Sequence, residues 1–139
     1  MKYLIDTNIL SDMTKKQPDK SIVKWFSDTL DTDKFISVIT IGELVYGVAK
    51  LPGSTKKEKL TAWLKELIHE GFDGRIADID INVMNVWGEM SAKLTRPLPI
   101  QDTLIAATAL AHDMTVVTRN VRDFKDIEGL KIINPQEAG

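Results

Sequence analysis

The chain has 139 residues, of which 43% are hydrophobic and 27% are charged. This length and composition are typical of one globular domain, so we expect a single domain over residues 1–139, and they disfavour disorder, collagen and coiled coil. The net charge of −2 removes the general attraction to phosphate groups that a strongly basic protein has, so any nucleic-acid site must be local. Because the chain contains no cysteine, disulfides, thiolate metal ligands and a cysteine nucleophile are excluded.

The N-terminal sequence does not have the pattern of a targeting segment. Only a short apolar run, Tyr3–Ile5, precedes Asp6, which is too short for the core of a signal peptide. No uncharged run approaches the roughly 18 residues of a membrane span, so we expect a cytoplasmic protein that does not contact a membrane. His69 and His112 are the only histidines, which disfavours a histidine-rich metal site.

Strands and helices are predicted to alternate in the first half of the chain. The apolar run Tyr3–Ile5 is typical of a buried strand, and apolar residues then recur with helical spacing over residues 21–30. A run rich in β-branched residues predicts a second strand over residues 35–39. Helical spacing follows over residues 40–51 and again over residues 54–68.

The second half of the chain repeats this alternation. The pattern predicts a third strand over residues 76–79 and helices over residues 83–94 and 100–111. Short apolar runs predict further strands over residues 115–118 and 131–133. Such alternation implies an α/β fold in three layers, α/β/α, with a central, mostly parallel sheet and helices on both faces. Ligands of such sheets bind at the carboxyl ends of the strands.

Acidic residues lie at or after the carboxyl ends of the predicted strands, where a ligand site is expected. Asp6 follows the first strand directly, Glu43 lies four residues beyond the second, Asp102 opens a helix, and Asp123 follows the fourth strand. Carboxylates brought close together repel one another unless a cation lies between them. A site of oxygen ligands without thiolate or imidazole favours Mg²⁺ or Mn²⁺, and such an ion supports hydrolysis of a phosphodiester by a bound water.

Three of these acids also have an ordinary structural interpretation. Glu43 fits a capping box with Thr40, Asp102 fits a first-turn acid that complements the helix dipole, and Asp123 fits a solvated loop acid. Such an interpretation is harder to give for Asp6, because a carboxylate at the end of a buried parallel strand has no exposed face to explain it, and we favour a functional role there.

Four segments together carry a family resemblance. They are LIDTN at residues 4–8, SVITIGEL at 37–44, DTLIAA at 102–107 and VVTRN at 116–120. In this order and spacing, the chain resembles a PIN-domain endoribonuclease of the VapC toxin type. The resemblance implies an α/β/α fold and an Mg²⁺- or Mn²⁺-dependent endoribonuclease. It also implies a toxin of a bacterial toxin–antitoxin pair, a homodimer that its cognate antitoxin wraps and inhibits.

The resemblance also assigns site residues. Asp6, Glu43 and Asp102 occupy the three principal acidic positions of the family and are implied to bind the metal. The fourth acid is either Asp123 or the position held here by Asn120, and we favour Asp123. Thr7 and Thr118 are expected to orient the metal ligands through hydroxyl hydrogen bonds.

RNA needs basic contacts of its own beside these acids. Arg119, Arg122 and Lys125 flank the acidic loop and are the first candidates for holding phosphate groups. A second group of candidates lies in the predicted helix 54–68: Lys56, Lys57 and Lys59. A charge run is more often simply a solvated face.

Three rival functions share the same sheet. An aspartyl-phosphate phosphatase requires a second Asp two residues after the nucleophile, and Asn8 stands there. A phospho-accepting receiver domain requires an acidic pair and a lysine after the last core strand, whereas Asp6 is alone and Arg119 takes the lysine position. A non-catalytic binding module would be marked by loss of an acid, and Asp6, Glu43 and Asp102 are all present.

Overall fold

The computed structural model describes residues 1–137 of the chain. Its centre is a five-stranded sheet with the spatial order β3-β2-β1-β4-β5. Every neighbouring pair of strands is parallel. The strands are β1 Tyr3–Ile5, β2 Lys34–Ser37, β3 Ile76–Ala77, β4 Thr115–Val117 and β5 Ile132–Ile133. The central strand is therefore the first one in the sequence, and the carboxyl ends of β1, β2 and β4 lie side by side.

Six α-helices connect these strands. They are α1 Thr7–Met13, α2 Lys20–Asp28, α3 Val38–Ala49, α4 Thr55–Glu66, α5 Ile81–Ala92 and α6 Ile100–Ala111. Short 3₁₀ turns cover Asp31–Asp33 and Val121–Asp123, and a π turn over Leu67–Gly71 extends α4. None of the helices in residues 1–137 combines the length and the apolarity needed to cross a membrane.

Each strand buries alternate side chains on opposite faces of the sheet. Leu4 and Val116 lie in one core cluster, which α5 and α6 cover, whereas Ile5 and Val117 lie in a second cluster with residues of α1 to α4. This alternation is the two-residue period of a β-strand, and all four side chains are fully buried. The expected α/β/α layering around a parallel sheet is confirmed.

Several predicted boundaries differ from the observed ones. The strand predicted over residues 35–39 ends at Ser37, whose side chain accepts a hydrogen bond from the Ile39 amide at 2.8 Å and so starts α3. Val38 and Ile39 are β-branched and locally favour a strand, so the local pattern placed this boundary two residues too late, and the Ser37 cap overrides that preference. The strand predicted over residues 76–79 likewise ends at Ala77, and Asp80 caps α5.

Helix α1 was not predicted. It has only seven residues, and it begins directly after Asp6, whose carboxylate accepts a hydrogen bond from the Thr7 amide. Ile9 and Leu10 anchor it in the second core cluster. Because so short a helix is marginal by itself, tertiary packing rather than local propensity forms it.

The loop after β4 is fixed by an aromatic anchor. Phe124 is fully buried in the first core cluster, and its amide donates to the carbonyl of Val121 at 3.0 Å. This anchor holds the turn Val121–Asp123 against the carboxyl edge of the sheet, where the acidic residues gather.

Candidate active site

Asp6 stands at the carboxyl end of the central strand and is only 5% exposed. One of its oxygens accepts from the Thr7 amide at 2.8 Å. The other accepts from the Thr118 hydroxyl at 2.8 Å and from the Asn8 amide group at 3.2 Å. Its backbone amide donates to the carbonyl of Val117 at 2.9 Å, so the carboxylate is fixed between the ends of β1 and β4.

The surroundings of Asp6 disfavour its charge. Burial raises the pKa of its carboxyl group, and the hydrogen bonds from Thr118 and Thr7 offset only part of this effect. The negative charges of Glu43 and Asp123 raise the pKa further. Asp6 is therefore a buried acid whose ionised form needs a positive charge nearby.

Glu43 reaches the same place from the middle of α3. The Thr7 hydroxyl donates to its Oε1 at 2.7 Å and lies 3.2 Å from the Thr40 hydroxyl. The capping-box interpretation of Glu43 is wrong, because α3 begins at Val38 with Ser37 as its cap. Glu43 lies in the second turn of the helix and lines the same cavity as Asp6 instead of capping the helix N-terminus.

Asp102 lies in the first turn of α6, and Pro99 before it supplies no side-chain cap. Burial raises the pKa of its carboxyl group to about 6, and the negative charges of Asp6, Asp123 and Glu43 contribute. Interaction with the helix dipole would lower the pKa, so this interpretation alone does not account for the position. Among residues 1–137, no side-chain or backbone donor hydrogen-bonds to this carboxylate, which distinguishes Asp102 from Asp6.

The two candidates for the fourth position are both present at the site. Asp123 is close enough for its charge to raise the pKa of Asp6 and of Asp102. Asn120 lines the cavity beside Asp6, and its backbone amide donates to the Thr118 hydroxyl at 3.0 Å. Asp123 therefore adds a negative charge near Asp6 and Asp102, and Asn120 is a polar residue in the wall of the cavity.

A cavity of about 310 Å³ opens over these acids. Asp6, Glu43, Asp102 and Asn120 line it. Four further lining residues were not predicted from the sequence: Asn8, Ser11, Asp12 and Lys15. Asn8, Ser11 and Asp12 lie on α1, and Lys15 lies two residues after its end, so all four belong to a segment that was not predicted to be helical.

Asn8 is the most closely connected of these unpredicted residues. Its amide group donates to Asp6 and to the Thr118 hydroxyl, both at 3.2 Å, and its side-chain oxygen accepts from the Arg119 amide at 3.2 Å. Asn8 therefore ties the end of β1 to the end of β4. Its place two residues after a buried strand-end aspartate was the available sequence signal.

Among the residues that line the cavity, the buried carboxylate of Asp12 pairs with two partly exposed cations. Asp12 is 3% exposed, and its carboxylate lies 3.3 Å from the Arg119 guanidinium and 3.1 Å from the Lys15 ammonium. It also accepts from the Asp19 amide at 2.8 Å. Burial raises the pKa of Asp12, but this hydrogen bond and the two cations outweigh burial and hold the pKa below its usual value.

The other predicted RNA contacts lie elsewhere. Of the three first candidates, only Arg119 lines the cavity within residues 1–137, while Arg122 and Lys125 are exposed outside it. The carbonyl of Arg122 accepts from Arg96, which also pairs with Asp126 at 3.0 Å.

The donor set suits a hard divalent cation, because it consists of carboxylate and amide oxygens. In the described part of the chain, however, no three Asp, Glu or His side chains converge closely enough to hold one ion as they stand. Both oxygens of Asp6 and one of Glu43 are engaged by hydrogen bonds. This fits Mg²⁺, which usually keeps several waters and binds one or two carboxylates directly.

Comparison with known sequences identifies the family. Residues 3–130 match the model of the PIN domain. The chain is 34% identical over 124 residues to the toxin FitB of Neisseria gonorrhoeae, which covers 87% of this chain and 89% of FitB. It is 29% identical over 137 residues to the VapC ribonuclease Y4jK of Sinorhizobium fredii, and 33% identical over 141 residues to the ribonuclease VapC2 of Rickettsia felis. These alignments cover 96% of this chain in both cases, and 97% of Y4jK and 98% of VapC2.

Solved structures agree with the sequence comparison. The structure of FitAcB from Neisseria gonorrhoeae matches with a TM-score of 0.90 and 32% identity, covering 96% of this chain and 98% of that one. VapBC2 from Rickettsia felis, bound to a DNA fragment from its promoter, matches with a TM-score of 0.78 and 33% identity, covering 96% and 98%. The shared sheet, the acids at its carboxyl edge and these alignments over almost the whole length lead to one conclusion: the chain belongs to the PIN-domain family, among its VapC-type toxins and ribonucleases.

Proposed function

We propose that this protein is a divalent-metal-dependent endoribonuclease and the toxin of a VapBC-type toxin–antitoxin pair, acting in the cytoplasm. The observation that carries the proposal is the meeting of Asp6, Glu43, Asp102 and Asp123 from four separate elements at one sheet edge. The names of the relatives, ribonuclease and toxin, support the same activity for this chain.

We propose Asp6, Glu43 and Asp102 as the metal-binding acids, with Asp123 completing the negative set and Asn120 lining the cavity. Mg²⁺ or Mn²⁺ bound here supplies an activated water and neutralises the charge that develops on the phosphodiester. Thr118 and Asn8 hold Asp6 in place, and Thr7 holds Glu43, so two of the carboxylates have fixed orientations. Such support of ligands by a surrounding shell of hydrogen bonds is common at metal sites.

Arg119 is the proposed phosphate contact at the site itself. Arg119 lines the cavity together with Asp6, Glu43 and Asp102, and its guanidinium is paired with Asp12. A fixed guanidinium beside a cluster of carboxylates can hold a substrate phosphate that the acids alone would repel. We therefore propose that the scissile phosphodiester lies between the acids and Arg119.

Cleavage of RNA should depend on a divalent metal. Purified protein is expected to cut single-stranded RNA in Mg²⁺ or Mn²⁺, to stop when EDTA is added, and to resume when the metal is restored. Gel electrophoresis of an end-labelled RNA measures this, and Asp73→Asn, at an exposed position outside the cavity, is a control variant that is expected to keep both the activity and the metal requirement. Full activity in EDTA would contradict the proposed mechanism.

The protein is also proposed to be a homodimer that binds a cognate antitoxin. Large apolar side chains are exposed on three helices: Val45 and Tyr46 on α3, Ile81 and Met84 on α5, and Ile100 on α6. Such side chains are typical of surfaces that a second protein chain covers.

Sedimentation at micromolar concentration is expected to show a dimer, and Tyr46→Glu combined with Ile81→Glu is expected to shift it to the monomer. If the wild-type protein is a monomer and does not bind the antitoxin encoded by the neighbouring gene, both the dimer and the antitoxin proposal are contradicted.

A further inference from the structure

A second and larger cavity lies beside the catalytic one. It has a volume of about 1020 Å³ and runs between the end of α1, the middle of α3 and the length of α4, so we name it the α3–α4 groove. Its floor is apolar and is formed by Leu44, Val48, Leu51, Leu60 and Trp63. Trp63 is only partly buried, because one part of its ring packs on the second core cluster while the rest faces the groove.

The rim of the groove is strongly basic. Lys15 and Lys16 line it from the end of α1, and Lys56 and Lys59 line it from α4. All four are exposed, and Glu43 at the inner end is the only acidic residue that lines the groove within residues 1–137. In a chain with a net charge of −2, four lysines around one groove are a local attraction for a polyanion.

The structure separates these lysines from their sequence neighbour Lys57. The Lys57 ammonium donates to the carbonyls of Ala49 at 3.3 Å and Leu51 at 3.0 Å, so it caps the C-terminus of α3. It does not line the groove. The three lysines that the sequence grouped together therefore divide into one with a structural role and two that face the groove.

The groove and the catalytic cavity adjoin one another. Ser11, Lys15 and Glu43 line both of them. A polynucleotide cut in its interior must continue in both directions from the scissile bond, so at least one flank has to leave the cavity along an adjoining surface. The α3–α4 groove adjoins the acids, carries the complementary charge and offers an aromatic side chain.

We propose that the α3–α4 groove binds the single-stranded RNA segment next to the scissile phosphodiester, with Lys15, Lys16, Lys56 and Lys59 contacting its phosphates and Trp63 stacking on a base. The proposal rests on the ribonuclease function above and adds the route of the substrate. A basic groove with an aromatic platform is the usual way in which proteins bind a single strand without reading its sequence. A docked protein segment would also cover the apolar floor, but nothing requires it to pass through the residues that the two cavities share.

The salt dependence of RNA binding tests the lysines. A fluorescein-labelled 12-nucleotide oligouridylate is titrated with protein in EDTA, where no cleavage is expected, and anisotropy gives Kd at several NaCl concentrations. Each lost phosphate contact lowers the slope of log Kd against log salt by about 0.7 for a single strand. Lys56→Gln/Lys59→Gln is therefore expected to lower the slope by about 1.4 and to weaken binding about tenfold at low salt.

A matched control removes the same charge elsewhere. Lys65 is exposed on α4 outside the groove, and Lys131 is exposed with its ammonium 3.9 Å from Asp113, so Lys65→Gln/Lys131→Gln is expected to leave the slope unchanged. Trp63→Leu is expected to weaken binding at least about fivefold without changing the slope, whereas Trp63→Phe, which keeps a ring, should restore most of the affinity. Thermal melts of every variant show that a loss of binding is not a loss of folding.

The outcomes separate this proposal from the function on which it rests. If the wild-type protein cleaves RNA and the groove pair Lys56→Gln/Lys59→Gln binds oligouridylate with the same slope as the control pair, the groove proposal is overturned and the ribonuclease function stands. If the groove pair retains RNA binding but loses binding of the antitoxin, the groove is a protein-docking surface and the proposal is likewise overturned. If the wild-type protein neither binds nor cleaves RNA, the proposed function itself fails.

Discussion

Replacing Asp102 with asparagine is expected to reduce RNA cleavage about 100- to 1000-fold, which is the size of effect seen when one group that stabilises transition-state charge is removed. The substitution keeps the shape of the side chain and removes the charge that is proposed to hold the metal. Asp102 accepts no hydrogen bond within the described part of the chain, so the loss of charge breaks no structural contact. Cleavage is measured with Mg²⁺ at fixed protein concentration.

The same substitution should stabilise the metal-free protein at neutral pH. The pKa of Asp102 is about 6 in the native state and near 3.8 in the unfolded chain, so between these values the native state binds more protons. The free energy of unfolding of the wild-type protein therefore falls as the pH rises from about 4 to 6, and it remains lower above pH 6. After allowance for solvent screening, Asp102→Asn is expected to gain about 1–2 kcal/mol at pH 7.5 in EDTA and almost nothing at pH 4.

Urea denaturation at the two pH values measures this difference. Asp73→Asn, at an exposed position, is the matched control and should change neither stability nor cleavage. The opposite pattern, near-wild-type cleavage with a loss of roughly 0.3–1 kcal/mol of stability, would show that Asp102 only complements the dipole of α6.

Asp12→Ala is expected to lower the free energy of unfolding by about 2 kcal/mol and to weaken RNA binding severalfold. Truncation leaves the Asp19 amide without its acceptor and the Arg119 guanidinium without its partner. Arg119 is 32% exposed, so water partly compensates it, and the loss remains below that of a fully buried pair. Asp12→Asn retains an acceptor for the Asp19 amide and should therefore recover part of the stability. It lacks the charge that pairs with Arg119, so it should not restore RNA binding.

The pH dependence of Asp12 has the opposite sign to that of Asp102. Because its native pKa is lowered, the carboxylate stabilises the fold above its unfolded pKa, and this stabilisation is lost as the pH falls through the native value. The difference between the wild-type protein and Asp12→Ala should therefore be large at pH 7 and small in strong acid. Chemical denaturation measures it, and Asp28→Ala, which breaks the exposed pair with Lys24, is the control expected to cost at most about 0.5 kcal/mol. Equal effects of the two substitutions would show that burial gives the Asp12 pair no special role.

Much of the architecture could be predicted from the order of apolar runs. A buried parallel strand needs apolar side chains on both faces, and the runs ending at Ile5 and Val117 supply them without help from the rest of the chain. Asp6 was recognisable for the same reason, because a carboxylate directly after such a strand is costly unless it has a partner or a function.

The boundaries and the support of the site were not predictable in this way. The β-branched residues Val38 and Ile39 favour a strand locally, and the cap made by Ser37 places them in α3 instead. Because α3 begins at Val38, Glu43 lies in its second turn and not at its N-terminus, and there its carboxylate accepts a hydrogen bond from the Thr7 hydroxyl.

The sequence by itself therefore determined the order of the strands and of every helix except α1, the acids at the strand ends and the family, because these depend on patterns within short segments of the chain. Only the tertiary structure decided that Asn8 bridges β1 and β4, that Asp12 holds Arg119, and that Lys57 caps α3 while its neighbours face a groove. Each of the first two contacts joins residues more than one hundred positions apart. Contacts across that distance depend on how the sheet is assembled and on which side chains the fold leaves buried, so no local pattern encodes them.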